Sequence, residues 1–126
     1  ARQLASAAEG SLGAALKLAD GNTLELWRWL TTEAFASPGA PAARRLAERL
    51  DEFGGGDNAG KRAGAIAALD LAALAVRRLL RNGLGPRKGA KALLTLWEAA
   101  ERIRLNVSPD LVLASAAYAV MAAIKA

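Results

Sequence analysis

A chain of 126 residues has room for one compact core and is too short for two ordinary domains. It contains no Cys and no His, which excludes disulfides, thiolate ligands and nucleophiles, histidine zinc sites and any histidine-based proton relay within it. The formal charge is +5, from 17 Lys and Arg against 12 Asp and Glu, so an anionic partner is to be considered as well as a neutral one.

Alanine and leucine dominate, and the aromatic residues are Trp27, Trp29, Trp97, Tyr118, Phe35 and Phe53. That composition favours helix over strand throughout and predicts an all-α fold, a compact array of about five helices preceded by one or two short ones. The longest uncharged run, residues 111–124, falls short of the roughly 20 residues a spanning helix needs. Ala1-Arg2-Gln3-Leu4 lacks the order of a signal peptide. A soluble, cytoplasmic protein without membrane contact is the expectation.

Residues 4–8 read as the tail of a helix that Gly10 ends, and Ser11 can cap a short helix to about Asp20. Asp20-Gly21-Asn22 is a turn signal, and Asn22 with Glu25 resembles a capping box opening a helix to about Ala36, with Leu24, Trp27 and Leu30 on one stripe. Ser37-Pro38-Gly39-Ala40-Pro41 stops it. The next helix, residues 41–53, carries Leu46, Leu50 and Phe53 at helical spacing, and Gly54-Gly55-Gly56 breaks the chain after it.

A long helix over residues 59–82 follows, with Ile66, Leu69, Ala73, Val76 and Leu80 as its buried set. Gly83-Leu84-Gly85-Pro86 terminates it. The sixth helix, residues 88–105, should turn Leu93, Leu96, Trp97 and Ile103 inward. Ser108 as N-cap and Pro109 at the first helical position then open a last helix carrying Leu111, Val112, Ala116, Val120 and Ile124. No period of 20 to 50 residues repeats, so a solenoid is not expected.

Few residues offer chemistry. Gly54-Gly55-Gly56 with Lys61-Arg62 misses the P-loop spacing, because Arg62 follows Gly60-Lys61, and an interhelical loop is the better reading. The carboxylates Glu33, Glu48, Asp51, Glu52, Glu98 and Glu101 read as solvated. Asp51 and Glu52 diverge by about 100° on a helix, which is poor geometry for a shared proton or metal. Asp70 stands out inside an apolar stretch, where it either marks the polar edge of its helix or forms a salt bridge to a neighbouring subunit.

Residues 77–91 hold Arg77, Arg78, Arg81, Arg87, Lys88 and Lys91 and no acidic residue. Such a block could face nucleic-acid phosphate. It is also what a solvated helix end looks like, with cations well placed near a helix C-terminus, and that plainer reading is favoured. Trp27 and Trp29 diverge by about 200° on a helix, so one can enter the core while the other stays free for an interface. No catalytic, cofactor or metal site is expected.

Glu9-Gly10-Ser11-Leu12-Gly13-Ala14-Ala15-Leu16-Lys17-Leu18-Ala19 resembles the glycine-serine-X-glycine-X-alanine-leucine segment that closes the AAA+ lid in delta-prime subunits of the bacterial DNA polymerase III clamp loader. Leu12 departs from the proline usual there. The helix holding Leu24 to Leu30, the Trp97-Glu98 helix and Leu105-Asn106-Val107-Ser108-Pro109-Asp110-Leu111-Val112-Leu113 resemble that family's C-terminal helices in the same order. The likeness is dense at the two ends and loose over residues 38–88.

The resemblance implies two parts, the end of a lid over residues 1–21 and a helical collar domain over residues 22–126. Gly13 falls where motor subunits of the superfamily carry a nucleotide-sensing arginine, and glycine offers a phosphate no side-chain donor. A non-catalytic subunit is implied, one that belongs to the polymerase holoenzyme and braces the ATPase pentamer that loads the sliding clamp. Its partners would be the motor subunits and delta through the collar, with DNA touched only indirectly and no small-molecule substrate. The alternative is an independent basic helical module that binds nucleic acid.

Overall fold

Alanine, leucine and arginine are among the strongest helix formers, and in the computed structural model, which describes residues 21–53 and 58–126, they build five helices. These are α1 (Gly21–Thr32), α2 (Ala40–Phe53), α3 (Asn58–Arg81), α4 (Pro86–Arg104) and α5 (Pro109–Lys125). The described residues contain no strand. The two predicted helices that end by Asp20, the Glu9 to Ala19 resemblance and the triple glycine lie outside them.

Two tight connections set the topology. After α3, Gly83 takes a φ of 110°. Its N–H donates to the Leu80 carbonyl at 3.4 Å and that of Leu84 to the Leu79 carbonyl at 2.9 Å, which is the Schellman pattern. The end of α4 repeats it with a non-glycine residue: Asn106 has φ 69°, its N–H donates to Ile103 at 3.1 Å, and that of Val107 donates to Arg102 at 3.0 Å. Pro86 and Pro109 then begin the next helices, where a missing N–H costs nothing. Short loops of this kind make α3, α4 and α5 successive antiparallel neighbours.

Helix α4 packs extensively on α3 and on α5, α5 packs equally on α2, and α1 lies mainly on α3. The fully buried residues include Leu30, Leu46, Leu50, Leu69, Val76, Leu96, Ile103, Leu113, Val120 and Met121. Between them lie Ala43, Ala68, Ala72, Ala92 and Ala117, all but excluded from solvent. Such small residues let helix axes approach toward the short end of the usual 8–10 Å range. The tightest point is at Gly89 on α4, whose missing side chain leaves room for Leu80 of α3. No polar or charged residue is buried among those described.

The structure departs from the sequence reading at several helix ends. Helix α1 stops at Thr32 and does not reach Ala36: the N–H groups of Glu33 and Ala34 both turn back to the Trp29 carbonyl, and Ala34 and Phe35 enter the core. Asn22 is itself helical in α1 and does not stand ahead of the helix as its cap. Helix α4 begins at Pro86, two residues before the expected start. Ser108 does occupy the N-cap of α5, but its hydroxyl makes no capping bond.

Larger in consequence, Trp97, which the periodicity turns inward, is 61% exposed, and Leu111 of α5 is 71% exposed. The core side of α4 is already filled by Ala92, Leu96, Ala99, Ala100 and Ile103, and that of α5 by Val112, Leu113, Ala116 and Val120. Each displaced side chain sits on the far side of its helix.

Candidate interaction surface

Of the two tryptophans on α1, Trp29 is the core residue and Trp27 is half-buried against the same core. The Arg49 guanidinium of α2 lies over the Trp29 ring, 5.2 Å from its centroid, and so fastens α1 to α2. Trp29 also floors an open groove of about 430 Å³ whose walls carry Glu33, Arg45, Glu48, Arg49 and Glu52. A second groove, of about 540 Å³, runs along α2 past Arg44 and Arg45 to Tyr118 of α5. Both are wide, solvent-open and lined by mixed charges, without the enclosed apolar walls that small-molecule sites use.

Asp70 is exposed on α3, at the polar edge of that helix. The six basic residues come together at the α3–α4 turn. Arg77, Arg78 and Arg81 lie at the end of α3, and Arg87, Lys88 and Lys91 at the start of α4; all are exposed but Lys88, which is half-buried. Arg78 and Arg81, in the last turn, stabilise the α3 C-terminus through the helix dipole, and the cations at the positive end of α4 make the turn more cationic than either helix would prefer alone.

A charged cluster that sequence spacing does not reveal joins three helices. Asp51 at the end of α2 meets Asp110 in the first turn of α5, and Lys61 near the start of α3 reaches Asp110 at 4.0 Å. A hydrogen bond with the Asp110 side chain raises the Asp51 carboxyl above its ordinary pKa, helped by partial desolvation and the Asp110 charge, while Lys61 acts in the opposite direction. Asp110 stands where a helix N-terminus favours negative charge and Asp51 where a C-terminus opposes it, so the shared proton falls to Asp51. The cleft between these groups has no room for a ligand beside Leu50, Pro109 and Leu113, so the cluster acts as a fastener. No group of three or more acidic residues fit to hold a metal ion occurs among the described residues.

The largest exposed apolar side chains belong to α4, α5 and the loop between them: Leu94, Trp97, Leu105, Val107, Leu111 and Tyr118. Leu94 and Trp97 of α4 and Leu105 at its C-cap fall within about 80° of one another around the helix axis, forming one stripe with Glu101. Glu101 is held within that face by Arg104, 2.7 Å away. This stripe is the surface feature that sequence reasoning missed, and its signal is a set of apolar residues on α4 too broad for one buried face.

No helix of the described residues is long and apolar enough to cross a membrane. Compared with protein-family models, with curated proteins and with solved structures, the chain matches none.

Proposed function

We propose that the chain is an assembly domain, the helical collar of a delta-prime-like clamp-loader subunit, which holds a clamp-loading ATPase together without carrying out catalysis itself. The observation that carries this reading is the exposed apolar stripe of α4, which lies outside the core that the described residues build. Large apolar patches on a closed core mark contact surfaces. The resemblance of the Leu24 to Leu30, Trp97-Glu98 and Leu105 to Leu113 segments to the family's C-terminal helices supplies the identity of the assembly. Asp70, exposed on α3, is suited to a polar rim contact with a neighbouring subunit.

A second reading is favoured by the cations gathered at the α3–α4 turn: a basic module that binds nucleic acid through phosphate. Sedimentation velocity separates the two. The chain is run alone, with the C-terminal domains of a motor subunit and a delta subunit, and with a short primed DNA. A heavier species with the partner domains and none with DNA is the expected outcome. Salt-sensitive co-sedimentation with DNA and no partner complex overturns the collar reading.

A further inference from the structure

We infer that the outer face of α4 docks an acidic amphipathic helix of a partner protein. The inference goes beyond the clamp-loader reading and does not rest on it, because it is argued from the chemistry of this surface alone.

The centre of the face is apolar and uncovered. Leu94 is 55% exposed, Trp97 61% and Leu105 76%, and they spread along α4 over about 17 Å, which three turns of a facing helix would span. Their spacing of three and eight residues is that of anchors for a helix laid alongside, since side chains three and four apart share a helix face. Tryptophan supplies the largest contact area of any side chain and is the residue most enriched at interface hot spots.

The border of the face names the partner's charge. Helix α4 carries five basic and two acidic side chains, a net charge of +3, and one acidic member, Glu101, is already bonded to Arg104. Arg87 and Lys91 lie on the same side of the helix as Leu94, next to the stripe; the exposed Glu98 falls on that side too, Arg102 and Arg104 flank the far end of the stripe, and the arginines ending α3 enlarge the positive field at the near end. A facing helix with Leu-type anchors and glutamates along its edges satisfies both centre and border. A second copy of this chain would bring two cationic borders together, which costs free energy where like charges meet. A phosphate backbone would satisfy the cations and leave the leucines uncovered.

The test uses the whole chain and a synthetic peptide of about 18 residues, or five helical turns, with leucines at helical spacing and glutamates on the flanks. A second peptide carries lysines for the glutamates. Binding is read by calorimetry and by the tryptophan emission of Trp97, the exposed one of the three. The glutamate peptide is expected to bind and shift the emission to shorter wavelength, with affinity falling as salt is added. Leu94→Gln with Leu105→Gln, both at exposed positions, should keep the helical circular dichroism and weaken binding at least about tenfold, the scale of losing a central contact residue. Arg87→Glu with Lys91→Glu should reverse the preference toward the lysine peptide. Equal binding of both peptides, or none of the glutamate peptide, overturns the inference. So does a dimer of the chain that Leu94→Gln abolishes, or DNA binding that the two leucine substitutions weaken alongside the peptide.

Discussion

Gly89→Ala tests how closely α3 and α4 are packed. A β-carbon at position 89 would stand 2.7 Å from Leu80 Cδ1 and would overlap Cγ and Cδ2 more severely. Overlap with Cγ cannot be relieved by turning the end of the leucine alone; χ1 must change or the helices must part. Forced off-rotamer side chains and helix shifts cost about 1–3 kcal/mol, while alanine in a helix gains up to about 1 kcal/mol over glycine. The difference predicts a net loss of up to about 2 kcal/mol, or a fall in Tm of up to about 8 °C. Thermal unfolding followed by circular dichroism measures it. The decisive arm is the Leu80→Ala background, where the obstruction is gone and Gly89→Ala should raise the Tm. Equal effects of Gly89→Ala in the two backgrounds would refute the proposed contact, since residues that touch are expected to be coupled.

Asn106→Gly should stabilise the chain by up to about 1 kcal/mol, because Asn106 holds φ 69° where glycine carries no steric cost; Gly83→Ala, at φ 110°, should do the opposite by about 1–2 kcal/mol, and urea midpoints at unchanged m-value would show both. Asp51→Asn should raise the unfolding free energy by a few tenths of a kcal/mol near neutral pH. The sign follows from a folded-state pKa raised above the unfolded value: the shared proton stabilises the chain fully below the ordinary aspartate pKa, and that contribution is lost as pH rises through the raised one, leaving two neighbouring carboxylates. The advantage of Asp51→Asn should therefore shrink as the pH is lowered, and an advantage that grows on acidification would contradict the pairing.

Local chemistry made most of the fold legible. Glycine and proline at 83–86 and Ser108-Pro109 punctuate the chain with groups whose backbone preferences no tertiary contact needs to reinforce, and the loops fall where they indicate. Asn106 carried a readable signal too, as the residue besides glycine that best tolerates the left-handed region. The end of α1 was not legible, because nothing in Glu33-Ala34-Phe35-Ala36 opposes helix; the segment leaves it when Ala34 and Phe35 are drawn into the core. Nor was the meeting of Asp51, Lys61 and Asp110, since three separate helices bring those side chains together. Asp70 is exposed on α3.

Trp97 shows why the interaction surface escaped a periodicity argument. Leu93 and Trp97 are four residues apart, so a single-stripe reading assigns both to the core. Around α4, however, the buried residues Ala92, Leu96, Ala99, Ala100 and Ile103 occupy an arc of about 100°, while Leu94, Trp97 and Leu105 centre about 150° away from it. Leu93, half-buried, stands between the two arcs. One core consumes one arc. A helix that carries two therefore has apolar surface for a second partner, and the same arithmetic on the sequence separates Trp97 from Leu96. The alanines conceal the division, because they fit either arc without penalty. On α4 the large side chains are the ones that identify a contact surface, and the second group of them lies beside the cations of the α3–α4 turn.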